Sequence, residues 1–237
     1  MTLLHAPSIV LNGLVLYMDA ANSNSYPGSG TIWSDIIGNN DATLVNGVGY
    51  SSSNLGSLTF NGTTQYGSIP SVTGITDFTS SNNYTIDCWV YLNSTQNNTQ
   101  SSDNDVIEKW DGFATRPYPY VIRYLRGTQQ MVAGVFNGTT ANNATIQISS
   151  NAWWHISSVF NWSSSLLTLY GNGGQVQNSG ALNATGISNA VAINLMRRGN
   201  GINYATGQIS NIKIYNRALS AAEVQQNFNA HRGRYGL

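Results

Sequence analysis

Six Asn-Gly pairs, beginning at Asn12, Asn46, Asn61, Asn137, Asn172 and Asn200, punctuate this chain of 237 residues. Asn-Gly accepts the positive φ angles of tight hairpin turns at little steric cost. Between the pairs lie short runs of strand character. Tyr84–Leu92, YTIDCWVYL, sets Tyr84, Ile86, Cys88 and Val90 on one face and Thr85, Asp87, Trp89 and Tyr91 on the other. Further strands are expected at Leu14–Met18, Ser57–Phe60, Val106–Trp110, Tyr120–Leu125, Met131–Phe136, Thr145–Ile148, Trp153–Phe160, Leu166–Tyr170, Val191–Met196 and Gln208–Tyr215. LLTLY-GNGG-QVQ reads as a hairpin with Asn172-Gly173 at its tip. So many short strands without βαβ alternation predict an antiparallel sandwich or barrel. One helix is expected, over about residues 221–230. Ser220 as N-cap and Glu223 at N3 form a capping box, Leu219 and Val224 a hydrophobic staple, and Val224 and Phe228 the buried stripe.

Several segments, in order, resemble the laminin-G-like branch of the concanavalin A-like jelly rolls. LTFNGTTQYGSIP (58–70) resembles a strand pair of that group. YTIDCWVYLN (84–93) is similar to its FTIEAWVY strand, WWHISSVF (153–160) to its W-x-H-V-A strand and LTLYGNGGQV (167–176) to its LYVNG hairpin. GQISNIKIYNRALSAAEVQQNFNA (207–230) resembles its G-x-I-x-x-V-x-I-Y-N-R-A-L-S-x-x-E-I ending. The resemblance covers about residues 13–230. It implies an all-β sandwich of two antiparallel sheets with one short C-terminal helix, as a single domain over 13–237. Residues 1–12 are then expected to form an N-terminal arm that docks on a neighbouring subunit. YPGSG near the start and the closing RGRYGL resemble domains of phage and other viral structural proteins.

Composition bears on the setting. Thirteen Tyr, six Trp and six Phe exclude a disordered chain. Ten basic and ten acidic side chains balance, which removes the electrostatic case for nucleic acid or a membrane surface as partner. No apolar run is long enough to cross a bilayer as a helix. The start, MTLLHAPSIVLNG, lacks a basic n-region and a small-residue cleavage site. The single cysteine, Cys88, excludes an internal disulfide. Yet 30 Asn, 27 Ser and 20 Thr against two Lys suit work outside cells. A virion component made in the host cytoplasm and released by lysis reconciles these facts. Its expected partners are other virion proteins, copies of itself on the particle, and cell-surface glycans. The alternative is a secreted, stand-alone lectin.

Candidate chemistry follows from few residues. Glycosidases need two carboxylates at the scissile bond, and the chain has two Glu in all, Glu108 and Glu223. Glu223 caps the helix, and Asp105 would face away from Glu108 on a regular strand. No enzymatic activity is therefore expected, with a polysaccharide hydrolase or lyase as the lesser alternative. His155, in WWHISSVF, reads as a packed structural histidine. Two segments combine aromatics with Arg and amides: Trp110, Phe113, Arg116 and Tyr118 in one, Arg197, Arg198, Asn203 and Tyr204 in the other. Either they form a glycan- or partner-binding rim, or they pack under their own loops. Asp19, Asp35 and Asp41 either hold a structural calcium ion or cap turns through backbone N–H groups.

Overall fold

The computed structural model describes residues 7–78, 82–97, 103–114, 116–178 and 188–237. Its strands are β1 Leu14–Asp19, β2 Ile32–Trp33, β3 Ala42–Val45, β4 Gly49–Ser51, β5 Ser57–Asn61, β6 Tyr66–Ile69, β7 Tyr84–Leu92 and β8 Asp103–Glu108. There follow β9 Tyr118–Leu125, β10 Gln130–Phe136, β11 Ala141–Gln147, β12 Trp153–Asn161, β13 Leu166–Gly171, β14 Gln175–Asn178, β15 Ile193–Leu195 and β16 Thr206–Tyr215. One sheet runs β14-β13-β12-β7-β16-β5-β4, with β1 also on β16. β5 takes Thr206–Ile209 of β16 and β1 takes Asn211–Tyr215, so both lie along the edge opposite β7. The other sheet runs β11-β10-β9-β8-β15-β6-β3-β2. All of these pairings are antiparallel. This is the expected two-sheet jelly roll.

The core lies between the sheets. The expected apolar face of β7 supplies Tyr84, Ile86, Cys88 and Val90 to it, opposite Ile107, Tyr120, Ile122 and Val135 from the second sheet. Cys88 sits there as a small apolar side chain, and burial pushes its thiol pKa up. Each fully buried aliphatic or aromatic side chain contributes about 1.5–3 kcal/mol over its exposed state. The 172–173 hairpin forms as read: Gly171 pairs Gln175, and Asn172 and Gly173 both take positive φ.

Helix α1 spans Ala221–His231 and starts with the full capping box. Arg217 reinforces it with a bidentate contact to Glu223 at 2.7 and 2.9 Å. Val224 and Leu219 bury with Val10, Val159 and Tyr215 in a second, smaller cluster on the outer face of the first sheet. The described part of the expected arm packs on its own domain through Val10. The Val10 N–H donates to Asn227 Oδ1 at 2.9 Å, and Gln226 Nε2 donates to the Ser8 carbonyl at 2.8 Å. Residues 1–6 of that expectation lie outside the described residues.

Candidate functional site

Two loops meet at the end of the second sheet. One runs from Glu108 to Tyr118 and joins β8 to β9. The other runs from Leu195 to Thr206 and joins β15 to β16. Gly199 lies so close to the Trp110 carbonyl that a Cβ there would collide with backbone. Gly112, at φ 82°, lies likewise against Asn200. Glycine is therefore required on each loop for the close approach. Arg198 completes the junction, with its guanidinium 4.9 Å over the Trp110 ring.

Beneath the junction is a row of charge. A β-bulge between Asp105 and Ile107 shifts the register of β8 by one residue. Asp105 and Glu108 therefore face the same side, contrary to the regular alternation expected from the sequence. Arg198 Nε lies 2.9 Å from Asp105 Oδ2 and 3.7 Å from Glu108 Oε1. Arg123 lies 3.7 Å from both Asp105 and Asp103. Neither Glu108 oxygen has a hydrogen-bond partner among the described residues. Burial, then the Asp105 charge, raises the Glu108 pKa well above the usual carboxylate range.

The exposed part of the rim is smaller than the sequence suggests. Trp110 and Tyr118 are buried and pack with Val121 and Phe136, so neither offers a ring face to a ligand. Trp110 Nε1 is spent on the Phe113 carbonyl at 3.0 Å. Asn203 is fully buried at φ 53°, and Tyr204 is half-buried. Arg197 stacks 3.4 Å over Tyr66 and binds Asn194 Oδ1. Phe113 stands out, 57% exposed, with the Arg116 guanidinium 4.9 Å over its ring. Arg116 pairs with Asp111. Both border a cleft of about 260 Å³ that is completed by Pro117 and Asn189–Val191.

The three aspartates named for calcium do not converge. Asp19 takes Arg234 Nη1 on both oxygens, at 3.0 and 2.9 Å. Asp35 accepts the Tyr17 and Ile37 N–H groups and Asn40 Nδ2, while Asp41 accepts the Asp35 N–H at 2.8 Å. Their oxygens cap turns and neutralise an arginine. Among the described residues, no group of three or more His, Cys, Asp or Glu side chains is placed to hold a metal ion.

The family described as the Concanavalin A-like lectin/glucanases superfamily matches residues 60–225. The chain belongs to that superfamily. Among solved structures, the binding domain of Paraclostridial Mosquitocidal Protein 1 matches with a TM-score of 0.72 and 19% identity, over 92% of this chain and 52% of that one. The binding domain of botulinum neurotoxin serotype G matches with a TM-score of 0.72 and 13% identity, over 91% of this chain and 50% of that one. Trypanosoma rangeli sialidase matches with a TM-score of 0.64 and 15% identity, over 96% of this chain and 34% of that one. The chain thus spans about half of the toxin domains and a third of the sialidase. At these identities the likeness is one of fold. No curated protein matches the sequence.

This member of the superfamily carries a second polar cluster, which sequence reasoning left scattered. On the outer face of the first sheet, under α1, Asp87 accepts from Ser157 Oγ at 2.6 Å and Lys213 Nζ at 2.9 Å, and meets His155 Nε2 at 2.8 Å. Asn227 Nδ2 adds a bond from α1 at 3.3 Å. Burial would push the Asp87 carboxyl up. Attraction to His155 and Lys213, with hydrogen bonds from His155 and Ser157, reverses this and holds it well below the usual range. Asp, His and Ser are all present, but Ser157 and His155 both bond the carboxylate and not each other. All three are buried beneath the helix, which is a structural arrangement and bears out the reading of His155 as packed. A signal was available: Asp87, His155 with Ser157, and Asn211 with Lys213 sit at outward positions on three strands that prove to be neighbours.

Proposed function

We propose that this chain is a non-enzymatic, lectin-like glycan-binding domain, working as a component of a phage particle. The observation that carries the binding reading is the exposed Phe113 ring, stacked by Arg116, whose pair with Asp111 lines the 260 Å³ cleft. A ring face suits the C–H side of a sugar, and the pair supplies donors and acceptors for hydroxyls. An exposed ion pair contributes only about 0–1 kcal/mol to stability, so engaging a ligand there costs the fold little. The toxin binding domains among the fold neighbours add support, one of them having been solved in complex with SialylT.

The non-enzymatic half rests on access. Asp105 and Glu108 share a face, which is the one observation favouring a glycosidase. Both are fully buried, with Arg198 beside them and Trp110 over Arg198, so neither can touch a glycosidic bond as the chain stands. The particle setting rests on the low-charge, Asn/Ser/Thr-rich composition and on the resemblance to viral structural domains.

The test is a glycan array probed with the whole chain, beside Phe113→Ala and Arg116→Ala. The proposal expects saturable binding that either variant weakens by about tenfold. Binding indifferent to both variants would remove the rim from the account. Polysaccharide turnover lost in Glu108→Gln would replace binding with catalysis. Mass spectrometry of purified virions tests the setting, and absence from particles would refute it.

A further inference from the structure

A cleft of about 840 Å³ opens between the short 3-10 turn at Ser53–Leu55 and the segment from Asn229 to Leu237 that ends α1 and the chain. None of its lining residues belongs to the Trp110 rim. We propose that this cleft is a binding site for a carboxylate-bearing saccharide unit of the uronic-acid type. Arg232 would meet the carboxylate, and Ser52, Asn54 and Asn229 the hydroxyls.

Four observations carry the assignment. The volume lies in the range of about 300–1,000 Å³ typical of small-molecule sites, well above what a bare anion needs. No aspartate or glutamate is among the described residues that line it, whereas Arg232 and Arg234 are. Arg234 is neutralised by Asp19. Arg232 is exposed, its guanidinium 5.8 Å over the Phe228 ring, and its planar fork matches a carboxylate.

His231 is the third observation. It lines the cleft at 6% exposure, and its Nδ1 is buried without a hydrogen-bond partner among the described residues. Burial, with Lys213 and Arg234 nearby, lowers its pKa to about 2, so the ring is a neutral imidazole. A neutral imidazole can exchange a hydrogen bond with a hydroxyl, which leaves Arg232 to meet the carboxylate.

The fourth is strain. Asn54 and Leu55 adopt φ of 54° and 70°, consecutive left-handed positions that are not glycine. Such residues cost about 1–3 kcal/mol each and persist where the surroundings over-determine them. Here Gly56, at φ 143°, is pressed on the Ala20 backbone, where any Cβ would clash. The strained tip holds an exposed Leu55 at the cleft, an apolar contact for the C–H face of a sugar.

The experiment titrates the ¹⁵N-labelled chain with D-glucuronate, D-glucose and acetate in separate arms. Glucuronate is expected to give saturable shifts at residues 52–55 and 229–234. Glucose, lacking the carboxylate, and acetate, lacking the ring, should each bind at least about tenfold more weakly. Arg232→Ala should weaken glucuronate by about tenfold or more. Gly233→Phe should abolish binding: the space above Gly233 is open, so the ring can enter the cleft without disturbing the fold. An unchanged unfolding midpoint would confirm that. Phe113→Ala should leave glucuronate binding intact, which separates this site from the rim. Unsaturable shifts, binding that survives Gly233→Phe, or acetate binding as tightly as glucuronate would overturn the proposal.

Discussion

Replacing Asp87 with alanine should be the most destabilising single change on the outer face of the first sheet. Its carboxylate and the Lys213 ammonium are both fully buried, 2.9 Å apart, and Ser157, His155 and Asn227 also direct polar atoms at it. Removing one partner of a buried pair leaves the other charge without compensation, at a cost of about 3–5 kcal/mol. For a domain of this size each kcal/mol lowers Tm by about 2–4 °C, so a fall of roughly 6–20 °C follows. Lys213→Met alone leaves the carboxylate three other partners and should cost less. The double variant should be more stable than the sum of the singles predicts, with a coupling energy of about 2 kcal/mol. Urea unfolding followed by tryptophan fluorescence measures all three. A coupling below about 0.5 kcal/mol would show that the two charges do not depend on each other as their placement requires. The pH dependence has a definite sign. Because the folded pKa of Asp87 is depressed, its stabilisation is present above the unfolded value near 3.9 and lost as pH falls through the folded value.

Two further outcomes are expected. His231 has a folded pKa lowered from 6.5 to about 2, so the unfolded chain binds its proton first and stability falls as pH drops below about 6.5. Between pH 6 and pH 4.5 the slope from this group should approach about 1.4 kcal/mol per pH unit, and denaturation of His231→Phe across that window should lack it. Ser220→Ala removes the oxygen that caps the Glu223 N–H and should cost about 1 kcal/mol, read as a lower urea midpoint with an unchanged m-value.

Much of the fold was legible in the chain. The strand β7, the 172–173 hairpin and the capped helix each announce themselves within a few residues, through alternation, Asn-Gly and S-x-x-E. The helix ends at His231, one residue past the expected Ala230. Strands β2, β3 and β4 were not read, because two to four residues are too few to display a period, and β6 entered only through the resemblance of residues 58–70 to a strand pair. The candidate site was half legible. Composition drew attention to the two loops that meet at Gly199 and Trp110, but not to which of their side chains would be buried. Trp110 and Tyr118 vanish beneath the rim, whereas Phe113, of the same chemical kind, stays outside.

The sequence by itself determined the longer elements and most of their faces, since those depend on contacts two to four residues apart, and the order of its motifs gave the family. Tertiary structure alone decided what the polar residues do. A one-residue bulge turned Glu108 to the side of Asp105. Sheet order brought Lys213 to Asp87 across 126 positions, and docking of the first residues brought Val10 to Asn227 across 217. Buried polar atoms take whichever partner the packed sheets and helix present, and no local propensity specifies that partner.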